Sequence, residues 1–153
     1  MRSLFLPGAT AALLFACSLS LFAQDRGYWN AAGTNSKAIT GDISIGSNKV
    51  TIDFSSFPLA PIRTLTTDEV AAAFDADVNA GGNGELYRLN VLAEKRFLHH
   101  NTLCGTEQTQ WMATYVSGRD LQVAFFSGSA PPVLTVDALA NSTTLCGTFT
   151  YAR

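Results

Sequence analysis

Charge is scarce in this chain. Asp, Glu, Lys and Arg make up 14 % of its 153 residues, about half of what an average domain carries. Ten basic residues stand against twelve acidic ones and no basic cluster forms, which argues against nucleic acid as a partner. The same balance gives little electrostatic reason to bind an anionic membrane. Histidine is rarer still, a single adjacent pair at His99 and His100. Neighbouring residues on a strand point to opposite faces, so the two rings do not converge on one metal ion. There is no Gly-x-Ser-x-Gly elbow, no cofactor fingerprint, no low-complexity tract and no linker long enough to separate two domains. These absences set the expectation of a non-catalytic protein without metal or cofactor.

What is present begins with an apolar N-terminus. Residues 1–23 read as a secretory leader: Arg2 is its one charge, an apolar run follows, and Ala23 supplies the small residue before the cut. Pro7-Gly8 shortens the run below a membrane span, so no span is expected after cleavage. Cys17 faintly resembles a lipidation site, but the bulky Phe15 and the apolar stretch after the cysteine favour release over lipid anchoring. The expected location is therefore the periplasm or the surroundings of the cell. Without Arg2 the net charge of −2 becomes one unit more negative. Residues 24–153 are enough for one domain with a core of its own.

The pentapeptide Thr-Leu-Cys-Gly-Thr occurs twice, at residues 102–106 and 144–148, each time centred on one of the two cysteines outside the leader. In an oxidising compartment Cys104 and Cys146 are most simply a disulfide joining two equivalent strand ends.

Period-two alternation dominates the rest, the mark of half-buried strands. Ile39, Gly41, Ile43 and Ile45 alternate with Thr40, Asp42 and Ser44; after a Gly46-Ser47-Asn48 turn, Val50, Ile52 and Phe54 alternate with Thr51 and Asp53. Pro58 and Pro61 predict an extended connection leading to 62–65. Thr66 or Thr67 caps one short helix, Asp68 and Glu69 suit its positive end, and residues 75–84 read as a loop. Further strands are expected at 86–91, 96–98, 111–116, 121–126, 133–136 and 145–151. The expected fold is all-β: an antiparallel barrel or sandwich of about eight strands with one short helix and one disulfide. The last strand, tied through Cys146 to Cys104, is expected to close the sheet.

Several residues carry possible chemistry. His99 and His100 are the only imidazoles available to a hydrolase. A carboxylate pair would have to come from Asp42, Asp53, Asp68, Glu69 or Glu85, and Asp42 and Asp53 fall on the solvated face of the first hairpin. Tyr28, Trp29, Trp111, Phe125 and Phe126 are candidates to line a cavity for a small apolar ligand, although core packing suits Trp111 and Phe125 better. Phe126 falls on the face opposite Phe125, which makes it a candidate contact residue. Ser117, Gly118, Arg119 and Asp120 form a turn whose Arg119 projects a charge at a loop tip, the place to expect a contact with another protein.

Trp29, the run Ile39-Thr40-Gly41-Asp42-Ile43, the segment from Asn101 to Gly105 and the terminal Leu-Cys-Gly-Thr-Phe-Thr-Tyr together resemble small secreted bacterial β-proteins of undetermined function. In size, secretion and disulfide use the chain is similar to periplasmic inhibitors of c-type lysozyme. That resemblance implies an eight-stranded barrel and a loop that enters the lysozyme cleft. The Ser-Gly-x-x-Tyr loop of those inhibitors is matched here only at Ser117-Gly118, because Leu121 stands where the tyrosine would be. The functional expectation is a secreted binding or accessory module acting on an envelope or extracellular protein, with protein inhibition of lysozyme-like type as its specific form. A small-ligand carrier using the interior, or a hydrolase built on His99 or His100, is the alternative.

Overall fold

A computed structural model describes residues 24–153. The expected leader, the cleavage expected after Ala23, and Cys17 lie outside the described residues.

Eight antiparallel strands follow one another around a closed barrel: β1 (Gly27–Ala31), β2 (Ile43–Ile45), β3 (Lys49–Ile52), β4 (Ser55–Thr64), β5 (Asn83–Val91), β6 (Thr109–Ser117), β7 (Asp120–Phe126) and β8 (Leu145–Ala152). The last strand lies between β7 and β1, where Asn30 faces Ala152 and Ala31 faces Tyr151. The fold is thus a barrel and not a sandwich. Closure removes the two edges that an open sheet would expose.

Alternation assigns the two faces of the wall. Trp29, Ile43, Ile45, Val50, Ile52, Leu59, Tyr87, Leu89, Met112, Leu121, Val123, Phe125, Phe149 and Tyr151 are buried in one interior cluster. Eight strands leave an interior that side chains of this size fill. Phe125 meets Phe149 edge to face at 5.3 Å, an arrangement that favours aromatic pairs.

A second cluster lies outside the wall, on β5, β6 and β7. Leu86, Trp111, Ala113, Tyr115, Ala124 and Phe126 point outward and are covered by Leu65 and Leu134 and by Val70 and Phe74 of helix α1 (Thr67–Phe74). Helix α1 has the expected cap: the Thr66 side chain accepts from the Glu69 N–H while Glu69 accepts from the Thr66 N–H, a reciprocal capping box. A Cβ on Gly84 would come within 2.7 Å of Val70, so the absent side chain lets α1 approach the sheet.

Several expected elements differ. Residues 39–41 are not strand: Ser36–Thr40 forms a π-helical turn in which Ser36 Oγ donates to Thr150 O at 2.6 Å and Thr40 Oγ1 pairs with the Tyr151 hydroxyl at 2.7 Å. These bonds reinforce the β1–β8 seam. Pro58 and Pro61 lie within a continuous ten-residue β4 instead of breaking it. Pro58 sits where β4 leaves β3 for β5, and Pro61 precedes a bulge, both positions that need no ladder N–H. Residues 96–98 lead into a 3₁₀ turn (Leu98–His100), and 133–136 lead into a short helix α2 (Val136–Ala140) capped by Thr135. The count of eight is restored by β4 and by β1, which carries no alternation long enough to read.

The Cys104–Cys146 disulfide is present, with Cα atoms 4.9 Å apart. Cys146 lies in β8 as expected, but Cys104 belongs to the loop between β5 and β6. The bridge therefore ties that loop to the barrel, while closure comes from the β8–β1 pairing. Among the described residues no helix is long and apolar enough to cross a membrane.

Candidate binding surface

The up-and-down order places the β1–β2, β3–β4, β5–β6 and β7–β8 connections at one end of the barrel, here the loop end. The β3–β4 connection is the tightest. Ile52 pairs with Ser55, leaving Asp53 and Phe54 as a two-residue turn. Both are left-handed, at φ 46° and 61°, as a type I′ turn requires. Such turns favour Asn-Gly or Asp-Gly, and a bulky side chain at positive φ is an outlier. Phe54 is moreover 100 % exposed. A strained backbone presenting a fully solvated aromatic ring gains nothing for the fold, and this strain is of the kind that marks functional positions.

A groove of about 220 Å³ beside this turn is lined by Tyr28, Asp42, Ser44, Thr51, Asp53, Phe54 and Leu98. Tyr28, on β1, faces outward beside Ser44 and Thr51 on β2 and β3 and is 59 % exposed. Its hydroxyl donates to Asp42 Oδ2 at 2.5 Å, while Ala31 N–H donates to Oδ1 at 2.8 Å. These two bonds hold the Asp42 carboxyl below the usual aspartate range, the phenol bond foremost, and Asp42 in turn raises the Tyr28 hydroxyl. Leu98 is brought here by the β5–β6 loop, which is anchored by Phe97 against Phe57 at 6.0 Å and by the disulfide.

His99 and His100 follow Leu98 in the chain. Both are exposed and both are left-handed, at φ 54° and 61°. Neither imidazole hydrogen-bonds to a carboxylate among the described residues, so the structure assembles no acid–base pair around them. Among those residues no three His, Cys, Asp or Glu side chains gather as a metal site.

The opposite end holds the other expected contact residues. Ser117 pairs with Asp120 across a two-residue turn with Gly118 at φ 59° ahead of Arg119, the glycine-first pattern of a type II′ hairpin. Gly118, Arg119 and Asp120 are exposed and Ser117 partly so. Arg119 Nε donates to the Arg153 carbonyl and Arg153 N–H donates back to the Arg119 carbonyl at 3.0 Å, which fastens this tip to the end of β8. Phe126 requires a correction. It is on the outer face as expected, but at 1 % exposure it lies in the cluster shielded by Leu134 and offers no contact surface.

Asp25 is tucked into the same end. Its Oδ2 accepts from Tyr87 at 2.8 Å and from Thr114 at 2.6 Å, and its carbonyl accepts from Trp29 Nε1 at 2.7 Å. Arg153 stacks on the Trp29 ring at 4.2 Å and donates to the carbonyls of Gln24 and Arg26. Burial, aided by Asp25, raises the Tyr87 hydroxyl far above its ordinary value, and burial also raises Glu85. These groups plug the barrel bottom with polar atoms that are chiefly satisfied within the protein.

The aromatic candidates therefore separate. Trp29 and Phe125 fill the interior, Trp111 and Phe126 pack outside the wall, and Tyr28 lines the loop-end groove. Phe54 was hidden from sequence reasoning because it continues the alternation of Val50 and Ile52. The available signal was Asp53, a residue suited to the first position of a type I′ turn.

Comparison of the chain with protein-family models, curated proteins and solved structures finds no match.

Proposed function

We propose that this protein is a non-catalytic binding module of the periplasm or extracellular space that engages another protein through its loop end, with Phe54 as the anchor. The observation that carries this reading is the fully solvated Phe54 ring held on a left-handed turn. Aromatic side chains that enter a partner's pocket contribute a disproportionate share of binding energy, and a rigid tip lowers the ordering cost. Leu92 and Leu145, at the loop-end termini of β5 and β8, add further exposed apolar side chains here. The disulfide and the leader-like N-terminus support an extracytoplasmic site of action.

Inhibition of a lysozyme-like hydrolase is the specific form of this reading, supported by the eight-stranded architecture shared with the inhibitors it resembles. The carrier alternative receives less support, because bulky side chains occupy the interior.

The test is capture of envelope or extracellular proteins, and of a panel of lysozymes, on the immobilised oxidised protein. The wild type, Phe54→Ala and Arg119→Ala are compared by mass spectrometry. A stoichiometric partner lost with Phe54→Ala and retained with Arg119→Ala is the expected result. A partner lost only with Arg119→Ala moves the surface to the Ser117–Asp120 tip, and a retained small molecule with no protein overturns the reading.

A further inference from the structure

We infer that the loop-end groove receives a cationic side chain, an arginine presented by the partner protein. The inference rests on the binding reading above and names the chemistry of that same site.

The groove combines two kinds of group. Its lining residues include two solvent-exposed aromatics, Tyr28 and Phe54, and two carboxylates, Asp42 and Asp53. No lysine, arginine or histidine lines it. The Asp42 carboxylate is fixed by the Tyr28 hydroxyl and the Ala31 N–H. Asp53 accepts no hydrogen bond from the described residues and stands next to Phe54, on the same rigid turn.

An anion entering this groove meets two negative charges. An uncharged apolar group buries those carboxylates without compensating them, which costs free energy. A cation satisfies both features, pairing with carboxylate and lying over an aromatic face. Guanidinium suits them better than ammonium because its planar fork matches a carboxylate, stacks on a ring and is weakly hydrated.

The test is a titration of the intact, isotope-labelled oxidised protein with acetyl-Gly-Arg-Gly-amide, followed by amide NMR shifts. The isosteric citrulline peptide, which lacks the charge, is the control. Arginine-dependent shifts at Tyr28, Asp42, Asp53 and Phe54 are expected, with affinity at least about threefold above citrulline. The shifts weaken by a similar factor with added salt and in Asp53→Asn, a substitution that keeps a residue tolerant of the left-handed region. Equal responses to both peptides, shifts confined elsewhere, or none at all overturn the assignment. If Phe54→Ala abolishes partner capture while the arginine peptide leaves the groove unmoved, the binding reading stands and the cationic occupant falls. If the peptide binds as expected but partner capture is indifferent to Phe54→Ala, the protein-docking reading falls instead.

Discussion

Phe54 sets stability against function at a single position. Its left-handed backbone costs about 1–2 kcal/mol relative to a glycine in the same conformation. The side chain, being fully exposed, contributes no packing in return. Phe54→Gly is therefore expected to leave the fold intact and raise unfolding stability by up to about 1 kcal/mol, once the greater freedom of the unfolded glycine chain is counted. The same substitution weakens partner binding. Urea denaturation beside the capture assay checks both, and a destabilised Phe54→Gly protein contradicts the reading of strain. Asp42 gives a second test. Its folded-state carboxyl titrates below its unfolded value, so its contribution is complete above the ordinary aspartate range and is lost as pH falls through the folded value. Glu69, held down chiefly by Arg63 at 2.7 Å, acts with the same sign. Glu85, raised by burial, opposes folding as pH rises through the carboxylate range. Stability is expected to fall on acidification below about pH 4, and to fall less steeply in Asp42→Asn. Identical acid limbs for wild type and variant, measured by urea midpoints across pH, contradict the Tyr28–Asp42 assignment. Part of this site was legible in the chain, because Asp42 and Asp53 fall on one solvated face of the first hairpin. Tyr28 comes from a separate stretch, and only the pairing of β1 with β2 makes it their neighbour.

At the scale of elements, legibility followed the length of the repeating pattern. β5, β6, β7 and β8 carry runs of alternation that survive their ends, and the capping chemistry of Thr66 and Glu69 marks α1 directly. β1 is five residues long with Trp29 as its one buried side chain, too short a signal to separate from loop. At residues 39–41 apolar alternation is imitated by a π-helical turn, whose Thr40 is buried to meet Tyr151 and not to face a strand neighbour. The prolines of β4 misled because their tolerance depends on a change of partner strand, which is a tertiary fact. The disulfide was legible as a pair but not in its task. By holding the β5–β6 loop it fixes Leu98 over the groove. The bridge spans 42 residues of chain. The Cys104→Ser, Cys146→Ser double variant is expected to lose about 4 kcal/mol of unfolding stability on the loop-entropy model. It is also expected to bind the partner more weakly at temperatures where it remains folded. Chemical denaturation and affinity measurement test this, and unchanged affinity in the folded variant detaches the loop from the site.

At the scale of the whole molecule, the barrel has two unlike ends and a filled middle. The lower end is closed by Asp25, Tyr87, Thr114 and the Arg153–Trp29 stack. The wall of β5–β7 is covered by the helices, and the interior is occupied by side chains. The loop end gathers left-handed non-glycine residues in two neighbouring connections, Asp53-Phe54 and His99-His100, around an aromatic and acidic groove. The central claim is that recognition takes place at that end. Amide hydrogen exchange of the captured complex against the free protein tests it most directly. The account predicts slowed exchange across the β3–β4 turn and the Leu98–His100 segment, with the Ser117–Asp120 turn unchanged. Protection confined to Ser117–Asp120, or spread through the barrel interior, would contradict it.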